Sequence, residues 1–286
     1  MPRPRPFQQV DVFTTTPYRG NPVAVVLDGE GLDDDEMLRV ARWTNLSETT
    51  FVLAPADDRA DYRVRIFTPG GELPFAGHPT LGTCHAWAGA GGRARDPEVT
   101  VQECAVGLVP VRRGPGGTLA FAAPPLVREG PVDEAELVEV AAVLGVDRGD
   151  VVDAAWVDNG PGWLGVLLGS VDAVLAVRPT PSDHKLGVVA PYPPGDTGTQ
   201  GDPAVEVRAF FPKDGAATVA EDPVTGSLNA SLASWLLGSG RLTAPYVAHQ
   251  GTALDREGRV EVTVDADGAI WVGGGTITCI TGEITA

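Results

Sequence analysis

Cysteine is scarce in this chain. Only Cys84, Cys104 and Cys279 occur in 286 residues, and they lie too far apart for a CxxC pair or a zinc-ligand set. An odd number of thiols without a secretory leader argues against a disulfide scaffold. Long apolar runs are missing too: none approaches the roughly 20 residues that span a bilayer. The opening Met1-Pro2-Arg3-Pro4-Arg5-Pro6 is basic but lacks the apolar stretch of a signal peptide. The expected location is the cytoplasm, with no membrane contact. Basic residues are in deficit, 21 Lys and Arg against 38 Asp and Glu, for a net charge of −17. Such a surface repels phosphate backbones and argues against nucleic acid as a partner. Its ordinary use is solubility. There is no P-loop, no GxSxG, no HExxH and no strand-linked GxGxxG. His85, His184 and His249 have no metal-ligand spacing. No metal or cofactor is expected.

What is present is ample core material, 43% hydrophobic residues, and a length that suits about two domains of roughly 150 residues. Strands are expected over Phe7–Phe13 and Val23–Leu27, around a turn at Arg19-Gly20-Asn21-Pro22, and over Thr49–Leu53 and Tyr62–Phe67. Asp33-Asp34-Asp35-Glu36 loads a helix start with negative charge, and Met37, Val40 and Ala41 continue it on one face. Short strands follow at Val99–Gln102, Gly107–Val111 and Leu119–Phe121. Pro124-Pro125 marks a domain boundary. Beyond it come a helix over Asp133–Leu144, strands over Val151–Val157 and Trp163–Leu168, a Pro-, Gly- and Thr-rich loop over Ala190–Pro203, and a strand over Val205–Phe211. The tail is strands again.

Two helices stand apart. Pro79–Ala90 and Val224–Leu237 carry no charged side chain and are rich in small and apolar residues. A helix with no polar face is buried all round. That fits a helix inside a curled sheet better than one on a flat, doubly wound sheet. Each is preceded by a strand ending in Phe and a polar loop, Gly77-His78-Pro79-Thr80 in one half and Thr225-Gly226-Ser227 in the other. The two halves therefore echo each other.

These loops are where chemistry is expected. A helix N-terminus presents unpaired N–H groups and partial positive charge, and glycine lets a ligand approach the backbone. Both loops are candidate anion or oxyanion sites. The plainer alternative is ordinary capping by Thr225, Ser227 or Asp222. His78 is either part of such a site or a surface loop histidine. Glu48, between a helix end and the β-formers Thr49-Thr50-Phe51, is either partly desolvated, which raises a carboxyl pKa, or simply exposed. Trp156, Trp163, Trp235 and Trp271 suit the core.

Taken together, these residues resemble the PhzF-type isomerase family of phenazine biosynthesis. The similarity is carried in order by Val10-Asp11-Val12-Phe13-Thr14, Gly20-Asn21-Pro22-Val23-Ala24-Val25-Val26, Asn45-Leu46-Ser47-Glu48-Thr49 and Phe67-Thr68-Pro69. It continues through Glu72-Leu73-Pro74-Phe75-Ala76-Gly77-His78-Pro79-Thr80-Leu81-Gly82-Thr83, Asn159-Gly160-Pro161, Glu221-Asp222-Pro223-Val224-Thr225-Gly226-Ser227 and Gln250-Gly251. The resemblance implies an α+β protein of the diaminopimelate-epimerase-like fold: two similar domains, each a curled, mostly antiparallel, barrel-like sheet around a central helix. Residues 1–125 would form the first domain, with the C-terminal strand 276–286 returning to it, and residues 126–275 the second. The active site would lie in the cleft between them, and the protein would be a homodimer.

The activity implied is a cofactor-independent shift of a proton on a small cyclic or unsaturated carboxylate, as in isomerisation of trans-2,3-dihydro-3-hydroxyanthranilate. Glu48 would be the proton shuttle and His78 and Asp222 its polar partners. Ser47, Gly77, Gly226 and Ser227 would contact the substrate. The fold's amino-acid epimerases place a cysteine at the foot of each central helix. Here those places hold Ala76-Gly77 and Asp222-Pro223, which excludes a two-thiol racemase. The rivals are an epimerase using Glu48 and Asp222 on opposite faces, and a non-catalytic small-molecule-binding protein.

Overall fold

Alternating apolar residues at the start of the chain build the first strand, and the computed structural model follows the chain from there. It describes residues 2–193, 202–213 and 215–286. The first elements are β1 (Pro4–Val12), β2 (Asn21–Val26), α1 (Asp34–Thr44), β3 (Glu48–Leu53), β4 (Tyr62–Thr68), β5 (Gly71–Leu73), α2 (Gly77–Gly89), β6 (Val99–Cys104), β7 (Gly107–Arg113) and β8 (Leu119–Ala122). Then come β9 (Arg128–Pro131), α3 (Glu134–Leu144), β10 (Val151–Asp158), β11 (Trp163–Leu168), α4 (Val171–Ala176), β12 (Lys185–Pro191), β13 (Pro203–Lys213), β14 (Thr218–Asp222) and α5 (Gly226–Gly238). The chain closes with β15 (Tyr246–Gln250), β16 (Gly258–Val264), β17 (Ile270–Gly274) and β18 (Thr276–Thr285). It divides into two units, Met1–Ala122 with Gly273–Ala286, and Ala123–Val272.

In the first unit, β18 and β2 flank β1 antiparallel, and β3–β4, β4–β5, β6–β7 and β7–β8 are antiparallel as well. The parallel pairs are β2–β3 and β4–β6. This sheet curls around α2, which touches β1, β2, β3, β6, β7, β8 and β18. Burial of α2 is complete from Gly77 to Cys84 and relaxes towards Gly89, where the helix emerges. Close approach is made possible by Gly82: a side chain there would run into Val23 Cγ1 and lie 3.0 Å from Val12 Cγ2.

The polar side chains of α2 are pinned by strands, because buried polar groups need partners. Thr83 Oγ1 donates to Thr50 Oγ1 at 2.8 Å, and Gln102 bridges Thr80 (2.9 Å) and Tyr62 (3.0 Å). The His85 ring sits between Thr276 and Thr278 of β18, at 2.9 and 3.0 Å. On the other side of the sheet lies the amphipathic α1. Its N-terminus is a capping box: Asp33 accepts from Glu36 N at 2.8 Å and Glu36 accepts from Asp33 N at 3.0 Å.

The second unit repeats the plan. The pairs β9–β10, β10–β11, β12–β13, β13–β14 and β15–β16 are antiparallel, while β11–β12 and β13–β15 are parallel. The charge-free α5 packs on β10, β11 and β16. A Cβ on Gly187 of β12 would lie 2.9 Å from Leu228 Cδ2 of α5, so glycine again allows helix and sheet to meet. Leu137, Val140 and Leu144 of α3 join Leu164, Leu186 and Phe210 in a core on the other face.

Several local expectations change. The loop expected over Ala190–Pro203 is shorter, because Ala190 and Pro191 complete β12 and Pro203 opens β13; residues 194–201 lie outside the described residues. Strands β5, β9 and β14 and helix α4 carry patterns too short to stand out in the sequence, and the seven-residue β12 was not among the expected strands. Trp163 and Trp271 are core residues, whereas Trp156 is only partly buried, with the Arg128 guanidinium stacked 3.3 Å from its ring centroid.

Candidate active site

Each central helix begins without a side-chain cap, and the candidate residues gather at these two starts. In the first unit, Ala76 occupies the N-cap position of α2 and no side chain caps the helix. Pro79 in the first turn costs nothing, since its missing N–H would have had no helical partner. Gly77 and His78 follow the cap directly. Glu48 opens β3, next to Val23 of β2, and Asn21 opens β2. Ser47, just before Glu48, is exposed.

These elements bring His78 and Glu48 together. His78 Nε2 lies 3.3 Å from Glu48 Oε2, with 6% and 15% of the two side chains exposed. On the ring's other side, Asn21 Nδ2 is 3.3 Å from His78 Nδ1. Burial strips the charge from this imidazole: desolvation pushes its pKa down to about 3, against a small opposing pull from the Pro22 carbonyl. His78 is therefore a buried neutral group, and the surface-loop alternative is overturned.

In the second unit, Asp222 ends β14 and Gly226 and Ser227 begin α5. The capping alternative fails here as well. Thr225 stands at the N-cap position, but its hydroxyl does not cap the helix; it donates to Asp222 Oδ2 at 2.6 Å. Trp163 Nε1 donates to Ser227 Oγ at 3.1 Å, and Asn159 Nδ2 donates to the Ser227 carbonyl at 3.0 Å. Gln250, fully buried on β15, bonds Thr225 N, Thr225 Oγ1 and the Asp222 carbonyl, each at 3.0 Å. Thus Glu48, Ser47, Gly77 and His78 fall in one unit and Asp222, Gly226 and Ser227 in the other.

Sequence reasoning gave Asn21, Asn159 and Gln250 no role at the site, placed Trp163 only in the core, and read Thr225 as part of the helix-start loop or its cap. Asn21, Asn159 and Gln250 do stand inside the family-like segments, so the signal was position in a motif; Trp163 had none. The three cysteines are free, and burial raises each thiol above its ordinary pKa. None lies at either helix start.

Comparison with known proteins decides the family. A family model described as phenazine biosynthesis-like protein matches residues 10–282. The chain belongs to this PhzC-PhzF family. It is 37% identical over 230 residues to a trans-2,3-dihydro-3-hydroxyanthranilate isomerase of Pseudomonas aeruginosa, covering 78% of this chain and 77% of that protein. It is 36% identical to antisense-enhancing sequence 1 of Schizosaccharomyces pombe, over 97% of both chains. A solved PhzF-family protein of Bacillus anthracis shares the fold at a TM-score of 0.81 with 22% identity, covering 99% of each chain. The α+β architecture of two helix-centred, largely antiparallel sheets is thus that of the PhzF family, among whose members are named isomerases.

Proposed function

We propose that this protein is a cofactor-independent isomerase that moves a proton along a small unsaturated or cyclic carboxylate, with Glu48 as the acid/base. The observation that carries the reading is the neutral His78 ring 3.3 Å from Glu48. A cation at that distance would weaken Glu48 as a base. An uncharged imidazole adds no such positive charge beside the carboxyl group. Glu48 takes a proton from a C–H adjacent to the substrate's unsaturation. The electron pair spreads into the conjugated system, and the same carboxyl returns the proton to another carbon, leaving the enzyme as it began. Asp222 is the second polar partner, and Ser47, Gly77, Gly226 and Ser227 hold the substrate, with the positive ends of the helices favouring its carboxylate.

The kinship with a trans-2,3-dihydro-3-hydroxyanthranilate isomerase makes that compound the first substrate to offer. Its conversion should be visible as a change in ultraviolet absorbance, without added cofactor. Glu48→Gln keeps the shape and removes the base, and should lower kcat at least about 100-fold while a product analogue still binds. Near wild-type turnover by Glu48→Gln would exclude Glu48 as the shuttle.

A further inference from the structure

The connection from β10 to β11 aims two side chains at the start of α5. Asp158 Oδ1 accepts from the N–H groups of Gly160 and Gly162, at 2.7 and 2.6 Å, which folds the connection tightly. Both glycines take a positive φ, 129° and 95°, that a side chain would oppose. Asn159 and Trp163 stand on either side of this turn. Asn159 Nδ2 donates to the Ser227 carbonyl at 3.0 Å and Trp163 Nε1 donates to Ser227 Oγ at 3.1 Å, so the backbone and the side chain of one residue are both held. The chemistry of the groups fixes the direction of each bond: a carbonyl only accepts, and an indole N–H only donates. Trp163 is 4% exposed, and losing Ser227 would leave its N–H buried and unpaired, which is costly. The Ser227 hydroxyl therefore gives a lone pair to the indole, and its own proton points away from it. Among the described residues that proton has no acceptor, and Ser227 is only half-buried, open enough to meet a ligand.

We infer that Trp163 is a positioning residue, with Asn159 beside it, that makes Ser227 a hydrogen-bond donor to an oxygen atom of the substrate. A serine hydroxyl without a fixed partner turns freely to donate or to accept. With an indole N–H against it, donation is favoured, and a hydroxyl that accepts one bond donates the next more strongly. The site thereby prefers an oxygen acceptor at this point over an ammonium group. The inference deepens the proposed contact of Ser227 with substrate and rests on it, but its test does not need turnover.

The test is a double-variant cycle read by calorimetric titration with 3-hydroxyanthranilate, the aromatic counterpart of the proposed substrate. Ser227→Ala should weaken binding about tenfold, and Trp163→Phe, which removes the N–H, about threefold. If Trp163 acts through the Ser227 hydroxyl, the double variant should lose no more than Ser227→Ala alone. A loss of about thirtyfold, the product of two independent effects, would overturn the inference, because a tryptophan that merely fills the core weakens binding whether or not the hydroxyl is there. Unaltered binding by a folded Trp163→Phe, or no binding by wild type at millimolar ligand, would overturn it as well. If Trp163→Phe does not fold, 3-benzothienylalanine at position 163 keeps the fused rings and puts sulfur in place of the N–H. It should give the same threefold loss, and wild-type affinity there would be equally fatal. Activity separates the two levels. Near wild-type turnover by Glu48→Gln would remove the proposed shuttle yet leave the Trp163 assignment standing, whereas independent effects in the cycle would remove the assignment and leave the shuttle.

Discussion

His78 Nε2 stands 3.3 Å from Glu48 Oε2 while its ring is held neutral by burial. A pair that would be a salt bridge on the surface is here a carboxyl beside an uncharged imidazole. The difference matters for stability as well as for chemistry.

An unfolded histidine titrates near 6.5, and folding pushes His78 down to about 3. Between those values the unfolded chain binds the extra proton, so stability is present above about pH 6.5 and is lost as pH falls through the window. Burial lowers His85 in the same direction. Wild type should therefore lose thermal stability between pH 7 and pH 5, before most carboxylates protonate, and His78→Gln should lose less over that range. Thermal unfolding curves recorded at half-unit steps check this. Identical slopes for the two proteins would contradict the assignment.

The thiols should be bystanders. Cys84 and Cys104 are buried and Cys279 half-buried, and all three are raised by desolvation, which disfavours the reactive thiolate. Iodoacetamide at pH 7 should leave turnover largely intact, and a triple variant with Ala at these positions should keep its activity if it folds. Inactivation that tracks modification of one cysteine would revive a thiol mechanism.

Two glycines on one helix should respond oppositely to alanine. Gly82→Ala forces a methyl into Val23 and Val12 and should cost about 1–3 kcal/mol. Because His78 rides on the same helix, activity should fall with it. Gly89→Ala meets nothing within 4 Å and should gain roughly 0.4–1 kcal/mol by stiffening the unfolded chain. Urea unfolding of both variants tests the difference in sign.

The buried Arg208 should be sensitive to its partner. It is 4% exposed, makes a two-pronged bond to Glu221, and also donates to the carbonyls of Val174 and Val177. Glu221→Gln strands that charge and should cost about 3–5 kcal/mol. Replacing both residues by Leu and Met should cost less than the single change, because no buried charge is left alone. A single variant as stable as wild type would show that the carbonyls alone satisfy Arg208.

The sequence by itself determined those parts of the molecule whose rules are local. The run Asp33 to Glu36 specifies a helix start and duly forms a capping box, and Trp163–Leu168 becomes β11 over exactly those residues. The absence of charge over Pro79–Ala90 dictated a helix enclosed by sheet, since such a helix has no face to offer water.

The tertiary structure alone decided which partners the side chains meet. A histidine between glycine and proline in a polar loop looks exposed, and only the curl of the sheet buries His78, with Asn21 brought to it across 57 residues. A threonine before Gly226-Ser227 looks like a cap, but Gln250, 25 residues further on, donates a hydrogen bond to its hydroxyl, which in turn donates to Asp222. Periodicity and capping act over three or four residues and can be read along the chain. Burial and hydrogen-bond direction depend on segments that become neighbours only when the sheets curl around their helices.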